Sequence, residues 1–210
     1  MTTDRPAPAT GRTHRPVAAA WAAVAGVALT VLASLGSLGG EVSGAERAVF
    51  RAVNELPDGL ERPMWALQLL GVIVTTLVAA VVAAAFRRWR LALALAALAP
   101  LKLVVERQVV KKLLERQRPG QNEPGAILRE VPPAGLSYPS GHAIIAAGIA
   151  TLIWPYLGPA GRTVAVVLVA AVCVARVYLG AHNPLDVVAG VGLGVLLGGL
   201  LTLVVGLSRS

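Results

Sequence analysis

At 210 residues, 56% hydrophobic and only 14% charged, the chain does not have the composition of a soluble domain. About 20 uncharged apolar residues in a helix cross a bilayer core, and the chain carries several such runs. Its formal charge of +8 does not point to nucleic acid, because the basic residues follow a multi-pass membrane pattern.

Residues 1–16, rich in Pro, Thr and Arg, read as a disordered cytoplasmic tail. Val17–Leu38 is the first uncharged run. It is longer than the roughly 7–15-residue apolar core of a secretory signal, so it reads as an uncleaved span. Glu41–Arg62 is polar and falls outside the membrane. Within it Ala48, Val49, Ala52, Val53 and Leu56 recur at helical spacing. That leaves two readings, an amphipathic helix lying on the outer surface or a solvated connecting helix. Pro63 leads into a second span, Met64–Phe86, and Arg87-Arg88-Trp89-Arg90 turns the chain back. The third span, Leu91–Val110, becomes progressively charged through Lys102, Glu106, Arg107, Lys111, Lys112, Glu115, Arg116 and Arg118. Pro119-Gly120 is expected to end that helix, and a polar loop runs on to Pro139.

Ser140–Leu157, Thr163–Gly180 and Val187–Ser208 complete six spans. In the last, Gly190, Gly194 and Gly198 fall on one face and permit close helix packing. The predicted fold is therefore all-α, a six-span bundle over residues 17–208. Arg5, Arg12, Arg15, Arg87, Arg88, Arg90, Arg162 and Arg209 then share one side with a single acid, Asp4. The positive-inside bias makes that side cytoplasmic, with both termini on it. Cys173, the only cysteine, lies within a span, so no disulfide forms within the chain.

Three polar clusters interrupt the apolar chain, all on the extracytoplasmic side of this topology. The first is Lys111 with Arg118-Pro119. On a continuous helix seven residues make about two turns and 10 Å, which places both cations on one face. Pro119 also disfavours helical backbone at Arg118, so that side chain has the alternative of leaving at the helix end. Such a pair clamps phosphate or is a snorkelling basic helix end. The second cluster is Pro139-Ser140-Gly141-His142. Ser140 reads as an N-cap, the free amides behind it suit an anion, and Gly141 lets a ligand approach the backbone.

The third cluster is Arg176, His182 and Asp186. Arg176 is an ionisable group inside a span, which marks it as functional. Asn183-Pro184 reads as N-cap and N1 of the last helix, placing Asp186 at N3. The carboxylate there either serves the helix dipole or orients His182 as a nucleophile. Two histidines, one carboxylate and several cations on one side match what phosphoryl transfer requires.

With these spacings, Lys111 to Arg118-Pro119, then Pro139-Ser140-Gly141-His142, then Arg176, His182 and Asp186, the chain resembles the type-2 phosphatidic acid phosphatase family, whose soluble relatives include vanadium haloperoxidases. The flanking Val177-Tyr178-Leu179-Gly180 and Val187-Val188-Ala189-Gly190 also resemble the family. The resemblance implies that His182 attacks phosphorus with Asp186 orienting it, and that His142 protonates the leaving group. Lys111, Arg118, Arg176, Ser140 and the Gly141 amide would hold the phosphoryl oxygens. Ala175 stands where the family usually has Ser, a change expected to tune activity and not to abolish it. The expected enzyme is a metal-independent, cofactor-free lipid phosphate or diphosphate phosphatase of the cell membrane, with polyprenyl (di)phosphate the first substrate choice. Phosphatidate, phosphatidylglycerol phosphate, or phosphotransfer by the same fold are the alternatives. Its expected partners are the bilayer and a lipid phosphate, not nucleic acid.

Overall fold

The computed structural model describes residues 14–110 and 114–207. Its order is α1 (His14–Gly36), α2 (Gly44–Asn54), α3 (Glu61–Gln68), α4 (Ile73–Ala85), α5 (Trp89–Val104), the short α6 (Pro119–Asn122), α7 (Gly141–Ile153), α8 (Pro159–Tyr178) and α9 (Pro184–Val205). Most of the expected tail lies outside the described residues, but α1 begins at His14, inside it. No strand occurs among the described residues, so the all-helical expectation holds.

By length and apolarity, three helices can cross a membrane: Pro16–Gly36, Pro159–Tyr178 and Pro184–Val205. The pair Asp58–Gly71 and Ile73–Ala85 is a fourth if its two arms, bent by 59°, form one span. Their outward faces carry Trp21, Val31, Val78, Val81, Val167 and Val204, all exposed. Such an apolar belt suits lipid, because no water-facing surface needs it. The expected span Met64–Phe86 is thus bent between α3 and α4, near Gly71. Gly71 lies against α7, where a Cβ would sit 2.7 Å from His142 Cβ. A glycine there weakens the helix and lets the chain turn under that histidine.

The third apolar segment also departs from expectation. α5 ends at Val104 and continues as a π-helical turn over Val105–Val110. Arg118 has extended backbone, with φ −71° and ψ 158°, and Pro119 opens α6 instead of closing α5. The steric demand of proline on its predecessor prevails over the two-turn helix. Gln117 then bridges to Leu136 in antiparallel fashion, with Ser137 N–H donating to the Arg116 carbonyl at 2.8 Å.

α2 is present as expected, and it packs one polar face into the protein. Glu46, Phe50 and Asn54 face inward at four-residue spacing, while Ala48, Val49 and Ala52 stay exposed. The buried polar ends have partners in the protein. Asn54 exchanges hydrogen bonds with the Ile127 backbone at 2.8 and 2.9 Å and donates to the Tyr178 carbonyl at 2.9 Å. Arg129 lies 4.0 Å over the Tyr178 ring and donates to the carbonyls of Asn54 and Tyr178. This polar knot fastens the 120s loop to the end of α8.

α9 is the axis of the bundle, and its glycines face two ways. A Cβ at Gly190 would stand 2.6 Å from the Ser140 carbonyl, and one at Gly198 2.7 Å from Thr151 Cβ, both on the α7 side. On the other side Gly192 meets Thr30, and Gly199 meets Ala23, both of α1. Small residues let three backbones approach without side chains between them. A methyl at Gly190 would pry α7 from α9 at their first turns, and such overpacking costs about 1–3 kcal/mol. Gly190→Ala is expected to lower the thermal midpoint of the detergent-solubilised protein. Gly44→Ala, where an added Cβ meets nothing within 4 Å, should leave it unchanged in the same melting experiment.

Candidate active site

The first turns of α7 and α9 lie side by side, and Ser140 N–H donates to the Asp186 carbonyl at 2.9 Å. Ser140 occupies the N-cap position with extended backbone, as expected, yet its side chain makes no capping bond. Its Oγ is buried without a hydrogen-bond partner among the described residues, and so is Arg176 Nε. A buried, unpaired hydroxyl at a helix start and a buried, unpaired guanidinium nitrogen together suit an anion that brings its own acceptors.

His182 is delivered by a sharp exit from α8. Gly180 adopts φ +74°, and a Cβ there would lie 2.5 Å from the Ile127 carbonyl. Left-handed backbone and this close approach both demand glycine. Asn183 then caps α9 with Pro184 in its first turn, as the sequence implied. Asp186 reaches back to accept the Asn183 N–H at 2.8 Å with Oδ2. The same oxygen stands 3.6 Å from His182 Nδ1, an ion-pair separation and not a hydrogen bond.

Arg118 closes the near side, donating from Nη1 to the Ala181 carbonyl at 3.1 Å. Arg176, in the last turn of α8, is buried and donates to Gln68 Oε1 of α3. His142 lies within electrostatic range of Arg176, His182, Lys102 and Arg118. His182 is in turn within range of Arg176, Asp186 and Arg118. Seven of the eight expected residues, His182, His142, Asp186, Arg118, Ser140, Gly141 and Arg176, therefore gather at one end of the bundle. The eighth, Lys111, lies outside the described residues.

Several neighbours were missed as site residues. Lys102 and Glu106, an i,i+4 ion pair buried on α5 and its π-turn, press against Gly141. A Cβ on Gly141 would meet Lys102 Nζ at 2.5 Å, so the space beside that glycine belongs to a protein cation and not only to a ligand. A charge within an apolar run was the available signal, as it was for Arg176. Gln68 is uncharged and gave no such signal. An apolar crevice of about 810 Å³ runs elsewhere along the bundle, lined by Ala22, Ala147, Val169, Cys173 and Val195 among others. None of the expected site residues lines it.

With this geometry in place, comparison with known proteins identifies the lineage. Residues 65–209 match the PAP2 superfamily, and the chain belongs to that family. It is 38% identical over 93 residues to the decaprenylphosphoryl-5-phosphoribose phosphatase of Mycobacterium tuberculosis, covering 44% of this chain and 49% of that protein. It is 35% identical over 97 residues to an undecaprenyl-diphosphatase of Sulfolobus acidocaldarius, covering 43% of this chain and 44% of that one. The aligned part thus spans less than half the length of these relatives. Among solved structures, a PAP2-type phosphatidylglycerolphosphate phosphatase from Bacillus subtilis superposes with a TM-score of 0.64 at 23% identity, covering 90% of this chain and 95% of that one. Aquifex aeolicus LpxE superposes at 0.62 and 21% identity, covering 73% and 92%. These two structures share the fold.

Burial pushes the His182 imidazole down to about 4, with Arg176 and Arg118 acting in the same direction and Asp186 against them. The ring is therefore neutral at pH 7, the form in which a nitrogen lone pair is free. Histidine nitrogen NMR of the ¹⁵N-labelled protein in micelles is expected to keep His182 neutral at pH 5.5, with protonation only near pH 4. Titration at the ordinary value near 6.5 would contradict the buried site.

Proposed function

We propose that this protein is an integral membrane lipid phosphate phosphatase that passes the phosphoryl group to His182 and then to water. The observation that carries the reading is the convergence of a neutral, carboxylate-backed His182 with His142, Arg118 and Arg176 at paired helix starts. In the first step His182 Nε2 attacks phosphorus while the bond from phosphorus to the leaving oxygen breaks. His142 gives that oxygen a proton. In the second step water attacks the phosphohistidine, with His142 taking its proton, and inorganic phosphate departs. Arg118, Arg176 and Lys111 neutralise the equatorial oxygens, together with Ser140 Oγ and the Gly141 amide. No metal is required, because the charge is met by guanidinium and ammonium groups.

We read the chain as six spans, an arrangement in which this site would face the extracytoplasmic side. α5 with its π-turn and α7 then supply the two crossings that are shorter or more charged than the rest. The arginine distribution supports this orientation. A polyprenyl phosphate or diphosphate is the proposed substrate, supported by the two curated relatives, both named for polyprenyl-linked phosphates.

Two measurements test the reading. Purified protein in detergent, stripped of metal and held in excess chelator, is expected to release phosphate from undecaprenyl mono- or diphosphate. Phosphatidate and phosphatidylglycerol phosphate should serve less well. Failure on every lipid phosphate, or activity that only magnesium or zinc restores, would overturn it. In a Cys173→Ala background, Gln121→Cys should react with an impermeant thiol reagent from outside intact cells and Gly161→Cys should not. The reverse pattern would move the site to the cytoplasmic leaflet.

A further inference from the structure

Arg116 carries no role in the reaction described above, yet its side chain is fully enclosed at 0% exposure. Nη1 donates to Asp186 Oδ1 and to Glu46 Oε1, each at 3.0 Å. Nη2 donates to Glu46 Oε2 and to the Glu41 carbonyl. Glu46 Oε1 also accepts the Leu185 N–H at 2.8 Å, an amide in the first turn of α9. The first turns of α2 and α9 are thereby joined through one guanidinium, with Ser37, at the end of α1, 3.4 Å from Nη1.

We propose that Arg116, held by Glu46, is a positioning residue for His182: it occupies one oxygen of Asp186 and so turns the other toward the imidazole. The proposal rests on the reading of His182 as nucleophile. A carboxylate can rotate and offer either oxygen. Here Oδ1 is fixed by Arg116 and Oδ2 by the Asn183 amide, so Oδ2 keeps its place 3.6 Å from Nδ1. Glu46 has two tasks. Its charge offsets a guanidinium that burial disfavours, and its geometry sets which Arg116 nitrogen faces Asp186. Burial lowers the Arg116 pKa, but the Glu46 hydrogen bond and the Asp186 and Glu46 charges outweigh it and raise the value above the ordinary one.

The charge arrangement predicts opposite effects from its two ends. His182 faces Asp186 on α9, Arg176 on α8, Arg118 before α6 and His142 on α7. Glu46 and Arg116 stand behind Asp186, with the Tyr138 hydroxyl within range of all three. Removing the Arg116 charge leaves two buried carboxylates without their cation, which favours imidazolium and raises the His182 pKa. Removing the Glu46 charge leaves Arg116 to Asp186 alone and lowers it. A general loosening of the site would let water reach His182 and raise the value in both variants.

The experiment compares wild type with Arg116→Met, Arg116→Lys, Glu46→Gln and the Arg116→Met/Glu46→Gln double variant. Each is assayed with undecaprenyl diphosphate and with dioctanoyl phosphatidate in micelles, and by histidine nitrogen NMR. Arg116→Met is expected to lower kcat about 10–100-fold, the size of loss seen when a partner that orients a metal ligand is removed, with KM changed less than about twofold. Its His182 titration should move up, while that of Glu46→Gln moves down. Arg116→Lys and the double variant should recover part of kcat. Wild-type turnover combined with shifts of the same sign in Arg116→Met and Glu46→Gln would overturn the positioning role. So would an unchanged kcat per folded molecule in Arg116→Met. Absence of wild-type turnover on any lipid phosphate would instead overturn the phosphatase reading, and the signs of the two NMR shifts would still decide the arrangement around Asp186.

Discussion

A charge taken out of water must be met by another charge or by a full set of hydrogen bonds, and this requirement shapes the polar end of the bundle. Arg116 cannot be enclosed with one counter-ion at arm's length, so it draws Glu46 and Asp186 to itself from segments 70 residues away on either side. Lys102 finds Glu106 on its own helix, and Arg176 finds Gln68 on the next arm of a broken one. Each pairing fixes the angle at which a helix ends. Together they bring the starts of α7 and α9 into register with the exit of α8, where both histidines stand.

Packing supplies the other half of this arrangement. Gly190 allows the backbone of α9 to rest on the Ser140 carbonyl, and Gly71 allows the bend between α3 and α4 to rest on His142. Neither contact has room for a side chain. Helices held this close have little freedom to slide, which gives the site a rigid base before any substrate arrives. The proposed phosphoryl transfer would need a neutral nitrogen pointed at phosphorus and cations around its oxygens. The depressed pKa of His182 and the guanidinium groups of Arg118 and Arg176 meet those needs.

Much of this was legible from the chain alone. Ser140, Gly141, His142, Arg176, His182 and Asp186 lie in short local motifs beside helix starts, and local motifs survive folding with their spacing intact. For Arg118 the sequence left two conformations open, and the structure adopts the one that Pro119 imposes, extended backbone in place of a continued helix. The inward face of α2 was not legible for a different reason: Glu46 and Asn54 are buried by partners remote in sequence, Arg116 and Ile127 among them. Gln68 and Arg116 escaped notice as site residues likewise, since long-range pairing leaves no period in a sequence. The break at Gly71 follows from His142 packing against it, a contact no window around residue 71 contains.

The claim on which the account turns is that phosphorus becomes covalently attached to His182. Lipid phosphate labelled on phosphorus, mixed with enzyme and quenched within milliseconds in alkaline detergent, reports that bond directly. Wild type should carry label that resists base and is lost in acid, as a phosphoramidate is. His182→Ala should carry none, and His142→Ala should accumulate label, because water attack lacks its base. Label that survives His182→Ala but vanishes in His142→Ala would contradict the assignment of nucleophile and acid.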